Sequence, residues 1–224
     1  MKRVNRILSL VFGGLVLMAF APVMAESNLC FNSSFSSTSN PFEGWGLNYD
    51  WSGNSKQMGN HKNASFLPEF KGRSNVLKMV VPGGYESKVE TPIMEYVPGD
   101  RYKCTFDLYA DIGNMRVLFL GYALAPGVPP GDLPKFSDLR RIYKGDAQDA
   151  SGASWKSVTV IFPKEQISEL AYKHLKKIRY MTVMMFVPGG TFGAGTFYIS
   201  NVKVVKLPGK CKVTKSAPKS SGDE

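Results

Sequence analysis

Aromatic side chains lie beside carboxylates at two places in this 224-residue sequence. Trp51 directly follows Asp50, and Tyr85 precedes Glu86 after a Gly-Gly pair. A sugar presents apolar C–H faces and hydroxyl edges, so an aromatic ring flanked by Asp, Asn, Gln or Arg suits it. These residue types in these positions point to binding of a polar, ring-shaped ligand.

Two predicted neighbouring strands carry the other candidates. Tyr109 shares the outward face of its strand with Asp107, and Tyr122 lies on the following strand. We expect one cleft on the sheet surface to carry Asp107, Tyr109 and Tyr122, with Trp51 or Tyr85 at its edge. A Trp or Tyr in a sandwich more often packs in the core or at its rim than binds a ligand, so each of these rings has that alternative role.

The patterns that accompany catalysis are weak. Glycoside hydrolysis by general acid–base chemistry requires two carboxylates facing one another across a cleft. Glu86, Glu90 and Glu95 cluster near one turn, but their spacing is equally typical of a solvated face. His61 lies in a polar loop and His174 among lysines, and neither accompanies a nucleophile-elbow sequence. We therefore expect no enzyme activity, no cofactor and no metal-ligand set.

The first 25 residues have the three-part layout of a secretory signal peptide. Lys2, Arg3 and Arg6 precede an apolar run that ends at the small-residue site before Ala25. We expect cleavage after Ala25 and a secreted, periplasmic or cell-surface protein. The apolar run is too short for a good spanning helix, so no membrane span is expected.

The remaining chain has the length of one domain with a full core. We expect one module over residues 26–207 and a polar, disordered tail over 208–224. The chain has 28 Lys and Arg against 18 Asp and Glu, a net charge of +10. The basic residues are densest at 173–179 and 203–215. They favour a polyanionic partner or form an ordinary solvated surface, and electrostatics alone does not choose.

Short apolar or alternating runs, bounded by Gly, Pro, Asn or Asp, dominate the sequence and predict an all-β sandwich. The runs are 44–51, 75–81, 87–97, 101–111, 115–125, 154–162, 179–187 and 195–207. Residues 163–178 differ, because Ile167, Leu170, Ala171, Leu175 and Ile178 recur at helical spacing and predict one short amphipathic helix. Residues 126–154 form a predicted long loop, which carries Phe136, Arg140, Arg141 and Tyr143.

Three cysteines remain in an exported chain. Alternation points Cys104 into the core. Cys30 and Cys211 flank the folded region, and the ends of a sandwich domain often meet. We predict a Cys30–Cys211 disulfide and a buried free thiol at Cys104. The alternatives are three reduced thiols or a bridge between chains.

The strand order and four anchors resemble carbohydrate-binding modules of the family 4/9 type, which belong to the galactose-binding-like jelly rolls. The anchors are Asn32 to Ser37 followed by Gly44-Trp45, then Pro98-Gly99 with Tyr102, then Trp155 at the head of a strand, and finally the closing run 197–204. The resemblance implies a jelly-roll β-sandwich with one short helix, which binds poly- or oligosaccharide through an aromatic groove. It also assigns Trp45 and Trp155 mainly to the core.

Two departures from that family concern calcium. Ser36 stands where the family pattern has Glu, and Ser200 followed by Asn201 stands where it has a closing Asp. Calcium requires six to eight oxygen ligands, and the charge of those ligands tunes its affinity. The resemblance therefore implies a weak or absent structural calcium site, and we expect the disulfide to replace it as the link between the terminal strands.

These observations predict an exported, non-catalytic protein that binds poly- or oligosaccharide, including an acidic one, rather than nucleic acid. The alternative is a structural or adhesion protein that uses the sandwich to bind another protein, which predicts an exposed apolar patch. A hydrolase or lyase on a jelly roll would require carboxylates or an Arg/Tyr/His cluster in the groove. The fold alone does not decide among these functions.

Overall fold

The computed structural model of the chain describes residues 27–37, 40–47, 64–81, 87–111, 114–131, 134–144, 148–150, 153–187 and 195–214. Trp51, Tyr85 and the predicted signal peptide, residues 1–25, lie outside the described residues. In the ranges given above, no helix is long and apolar enough to cross a membrane.

Two antiparallel sheets form a jelly-roll β-sandwich. The first contains, in spatial order, β1 (Gly46–Leu47), β4 (Ser87–Glu90), β12 (Tyr180–Val187), β7 (Met115–Leu124) and β8 (Leu139–Lys144), with β5 (Met94–Glu95) beside β12 and β9 (Gln148–Ala150) beside β7. The second contains β10 (Lys156–Phe162), β6 (Asp100–Ala110), β13 (Gly195–Lys210), β3 (Arg73–Val81) and β2 (Ala64–Phe70). The all-β prediction is confirmed, and we call the two the seven-stranded and five-stranded sheets.

The core lies between the two sheets and follows from strand alternation. On β6, Tyr102, Cys104, Phe106 and Leu108 point inward and are buried, while the residues between them face outward. Trp45 lies in the core as expected, with its ring centroid 4.6 Å from that of Phe35. The outward-facing half of β6 is therefore available to a surface site.

The β2–β3 hairpin is closed by a two-residue turn. Lys71 and Gly72 have φ values of 46° and 76°, and Phe70 pairs with Arg73. Positive φ at both central residues is the type I′ arrangement, whose twist matches that of the flanking strands. The turn places Lys71 at the hairpin tip, with Phe70 and Arg73 on either side of it.

A β-bulge interrupts β13 at Ser200 and Asn201, the residues that stand where the family pattern has its closing Asp. The register against β6 shifts between Ser200 and Lys203, and Asn201 has a φ of 54°. The extra residue lets Ile199 and Val202, three positions apart, both face the core. Asn201 is thereby left exposed on the outer face of the five-stranded sheet.

The predicted helix is shorter than its pattern, and one residue of its predicted apolar face is exposed. Helix α1 spans Glu169–Leu175, and the Ser168 hydroxyl accepts a hydrogen bond from the Ala171 N–H at 3.2 Å. Ile167 precedes it on strand β11 (Gln166–Ser168), which pairs in parallel with β14 (Lys212–Thr214). Leu170 was expected on the apolar face but is 67% exposed, whereas Leu175 of the same predicted face is buried. Five residues, at about 100° each, put Leu170 about 140° around the helix axis from Leu175.

Two boundaries from the sequence are wrong. The predicted loop 126–154 contains a 3₁₀ turn at Phe136–Asp138 and the strands β8 and β9, both of which pair with β7. The tail predicted from residue 208 is paired as far as Thr214, because β13 runs to Lys210 and β14 follows it. Residues 215–224 lie outside the described residues.

The predicted Cys30–Cys211 disulfide is also wrong, since all three cysteines are free thiols. The Leu29 N–H bonds to the Val204 carbonyl at 2.8 Å, whereas the Cys211 N–H bonds to Gly99. Val204 pairs with Cys104, which lies five residues along the chain from Gly99, so at about 3.3 Å per residue these two levels are roughly 16 Å apart. A disulfide requires Cα atoms within about 7 Å. Cys104 is a buried free thiol, as predicted.

Candidate functional site

Four aromatic rings gather on the outer face of the five-stranded sheet. We call Phe70, Tyr109, Trp155 and Tyr198 the aromatic patch. The Phe70 and Tyr198 rings are stacked, with centroids 3.7 Å apart and an interplanar angle of 6°. Tyr109 meets its three neighbours edge to face at centroid distances of 5.5 Å to Phe70, 5.9 Å to Trp155 and 5.8 Å to Tyr198. Stacked and edge-to-face geometries stabilise aromatic pairs by more than the burial of their surface alone.

The register of the five-stranded sheet brings these rings together. Tyr198 on β13 lies directly opposite Tyr109 on β6, and both point outward because their neighbours face the core. Lys156 pairs with Leu108, so Trp155, one residue earlier, reaches the level of Tyr109. Phe70, at the end of β2, folds across Tyr198. Residues distant in sequence therefore form one surface.

The four rings differ in the surface they offer to solvent. Tyr109 and Tyr198 are each only 8% exposed, whereas Phe70 and Trp155 are half-buried. Burial also raises the pKa of Tyr198. Phe70 and Trp155 thus form the contact surface of the aromatic patch, and the two tyrosines form the layer that supports it.

Two cations lie over these rings. The Lys71 Nζ is 4.1 Å from the Tyr109 ring centroid and donates a hydrogen bond to the Tyr109 hydroxyl, which raises the pKa of Lys71. The Arg73 Cζ lies 5.8 Å from the Trp155 ring. Both contacts are within the range of cation–π attraction. The hairpin turn therefore supplies positive charge to the edge of the aromatic patch.

Asp107 holds the polar side of the site in place. Its Oδ2 accepts a hydrogen bond from the Arg73 Nε at 3.0 Å and one from the Asn201 Nδ2 at 2.7 Å. The Trp155 Nε1–H donates to the Lys71 carbonyl at 3.0 Å, which ties the indole to the hairpin. The exposed polar groups and the rings are thus connected in one network.

The bulge residues of β13 are engaged in this network as hydrogen-bond donors. The Ser200 hydroxyl, which is buried, donates to the Ser74 carbonyl at 3.2 Å, and Asn201 donates to Asp107. This arrangement does not fit a calcium ion, which requires a set of converging oxygen acceptors. Over the described ranges, no group of three or more His, Cys, Asp or Glu side chains could hold a metal ion.

The predicted cleft is only partly assembled. Asp107 and Tyr109 lie on the same face, but Tyr122 belongs to β7 of the other sheet, so one cleft cannot contain all three. The reason is that successive strands β6 and β7 belong to opposite sheets of the sandwich. Tyr122 is fully buried, which raises its pKa, and its hydroxyl donates to Glu90 Oε2 at 2.7 Å.

The outer face around Tyr122 is closed by the segment that was expected to be a loop. Phe136 lies against Gly46, so closely that a Cβ added there would be 2.8 Å from the Phe136 Cζ. Glu90 and Thr182, beside Tyr122, are also buried, and the Thr182 hydroxyl donates to Glu90 at 2.9 Å. Tyr122 is therefore closed to a ligand, whereas Phe70 and Trp155 on the five-stranded sheet are half-buried.

Sequence reasoning missed most of the aromatic patch. Trp155 was assigned to the core, although its side chain lies on the outer face. Tyr198 could have been found, since it alternates with the inward-facing Phe197 and Ile199. Lys71 precedes Gly72 in a pair typical of a hairpin turn, and that signal would have placed Phe70 and Arg73 near one another.

No protein-family model and no curated protein matches the chain. The solved structures similar to it are mostly carbohydrate-binding modules. A family 61 module solved with β-1,4-galactotriose has 12% identity and a TM-score of 0.46, covering 81% of this chain and 99% of that one. A family 16 module has 14% identity and a TM-score of 0.45, with 80% and 99% covered.

A family 11 module from a cellulosomal cellulase of Clostridium thermocellum has 14% identity and a TM-score of 0.43, with 81% of this chain and 95% of that one covered. The match to the 4/9 type is approximate, since a family 4 structure covers 64% of this chain at a TM-score of 0.37. Because the sequence identities and TM-scores are this low, the function of the chain is inferred from its own side chains.

Proposed function

We propose that the chain is an exported, non-catalytic carbohydrate-binding protein whose aromatic patch binds poly- or oligosaccharide. The observation that carries this proposal is the pairing of two partly exposed rings, Phe70 and Trp155, with a fixed polar edge made by Arg73, Asp107 and Asn201. The export part depends on the signal-peptide pattern of residues 1–25.

Each part of the site has a distinct role in sugar binding. The apolar face of a pyranose packs on the Trp155 and Phe70 rings, which are held by the stacked and edge-to-face contacts beneath them. Sugar hydroxyls bond to the free donors and acceptors of Arg73 and Asp107. Because these two groups already hold one another, little side-chain ordering is needed when the ligand binds.

The charge of the hairpin favours an acidic sugar. Lys71 and Arg73 both lie at the edge of the rings, and a guanidinium pairs well with a carboxylate or sulfate. Asp107 is the carboxylate of the network, and Arg73 and Asn201 bind it from two sides. Its use as a hydrogen-bond acceptor suits binding better than acid–base catalysis.

A glycan array with neutral and acidic polysaccharides tests the proposal. Residues 26–224 contain every described element and are the form to use. Binding that persists at moderate salt and is lost in Trp155→Ala supports the aromatic patch. Signal limited to polyanions at low salt and unchanged in Trp155→Ala would contradict it, since counterion release alone explains such binding.

A further inference from the structure

The two densest basic stretches of the sequence meet at one end of the sandwich. Strand β11 leads directly into α1 and pairs in parallel with β14, so Gln166 lies opposite Lys212. Gly99 contacts both elements, because a Cβ added there would lie 3.5 Å from the Tyr172 ring and 3.8 Å from the Lys210 side chain. The lysines around α1 and the lysines at the end of β13 and on β14 are therefore neighbours.

We call this surface the basic edge. It consists of five exposed lysines and two exposed apolar residues, namely Lys173, Lys176, Lys177, Lys210, Lys212, Leu170 and Val213. Glu165 forms an ion pair with Lys212 at 3.3 Å, and Glu169 lies in the first turn of α1. Five lysines against two glutamates leave a net positive surface.

Apolar side chains lie among these lysines. Leu170 is 67% exposed, and Lys173 and His174 lie three and four residues later on the same face of α1, with Lys176 and Lys177 following its end. Val213, on the adjacent β14, is 41% exposed. A soluble polyanion would use only the lysines. An anionic bilayer binds the apolar side chains as well as the lysines, because apolar side chains enter its interface while lysines contact its headgroups.

The basic edge is remote from the aromatic patch. Lys210 pairs with Asp100 at one end of β6, and Tyr198 pairs with Tyr109 near the other end. Nine residues of strand, at about 3.3 Å each, put roughly 30 Å between these levels. The two surfaces can be occupied at the same time and can be tested separately.

We propose that the basic edge docks on an anionic lipid bilayer, with Leu170 and Val213 entering the interface and the lysines contacting acidic headgroups. Docking at this end leaves the aromatic patch accessible at the other end of the five-stranded sheet. The proposal is independent of the glycan function, because it rests on different residues.

Sedimentation of residues 26–224 with lipid vesicles tests the docking. We expect binding to phosphatidylcholine vesicles that contain phosphatidylglycerol and little binding to pure phosphatidylcholine. Lys173→Gln combined with Lys177→Gln should weaken binding by about tenfold or more, since each lysine near a charged surface contributes about fivefold. Leu170→Ser should weaken it further, and its melting temperature should stay near that of the wild type because Leu170 is exposed.

The matched control is Lys78→Gln combined with Lys203→Gln, which removes the same charge from the outer face of the five-stranded sheet. This control and Trp155→Ala should leave vesicle binding unchanged. Equal loss in the control, or equal binding to both vesicle types, would overturn the proposal. A Leu170→Ser variant that binds vesicles as the wild type does, while dextran sulfate competes fully, would assign the basic edge to soluble polyanions instead.

Discussion

The ring of Phe70 stacks on the ring of Tyr198, with centroids 3.7 Å apart and planes 6° from parallel. This contact joins the end of the first strand of the β2–β3 hairpin to β13, two strands away in the five-stranded sheet. The stack fixes the position of the hairpin tip and of the cations it carries. The contact surface of the aromatic patch therefore depends on Phe70.

Replacing Phe70 with alanine tests that dependence. Phe70→Ala should lower the free energy of unfolding by about 1–2 kcal/mol, less than the loss for a fully buried Phe, because Phe70 is only half-buried. Phe70→Tyr keeps the ring and serves as the control. Chemical denaturation measures both variants, and an alanine variant as stable as the wild type would mean that the stack does not hold the hairpin.

The conformation of the hairpin turn predicts the effect of Gly72→Ala. Gly72 has a φ of 76°, and no atom lies within 4 Å of an added Cβ, so the cost is purely conformational. We expect a loss of about 1 kcal/mol of stability. Gly72→Asn should lose less, because Asn tolerates the left-handed region. Equal stability of Gly72→Ala and the wild type would exclude a type I′ turn.

A close contact across β7 predicts a larger effect at Gly121. A Cβ added there would lie 2.4 Å from the Ile178 Cδ1 and 3.1 Å from the Tyr143 Cβ. Gly121→Ala should therefore cost about 1–3 kcal/mol through overpacking, and Ile178→Val should recover part of it. Gly131→Ala, which meets no atom within 4 Å, is the control. Similar melting temperatures for the two glycine variants would contradict the packing described.

The buried thiols predict how stability varies with pH. Burial raises the pKa of Cys30 from 9.0 to about 12, so above pH 9 the unfolded chain releases this proton before the folded protein does. The contribution of Cys30 to the free energy of unfolding is therefore fully present below pH 9. It is lost as the pH rises towards 12, by about 1.4 kcal/mol per pH unit. In Cys30→Ala the decline should be shallower. Equal slopes in urea titrations of the two proteins would refute the burial of Cys30.

The sandwich could be predicted from the sequence because its evidence is local. Alternation on β6 and β13 and the Pro-Gly turns depend only on neighbouring residues, and these gave the strands and the inward direction of Cys104. Strand β2 was missed because it is an edge strand with Pro68 inside it and no fully buried residue, so its sequence does not alternate between apolar and polar positions. The end of the domain was set too early because the pairing of β14 with β11 spans more than 40 residues.

The candidate site was harder to predict, because it depends on which sheet receives each strand. Asp107 and Tyr109 share a strand, so alternation alone placed them together. Tyr122 follows closely in sequence but lies in the other sheet. Trp155 joins Tyr109 only through the β10–β6 register. Leu170 faces solvent because it lies about 140° around α1 from the buried Leu175.

The proposed function depends most directly on sugar binding by the half-buried ring of Trp155. Isothermal titration of the polysaccharide that gives the strongest array signal, at moderate salt, measures this directly with the wild type and with Trp155→Ala. We expect the variant to bind about tenfold more weakly and to keep its cooperative unfolding, since losing about 60 Å² of buried apolar contact, at about 25 cal/mol per Å², corresponds to about tenfold in affinity. An unchanged Kd in a folded Trp155→Ala protein would mean that Trp155 does not bind the sugar.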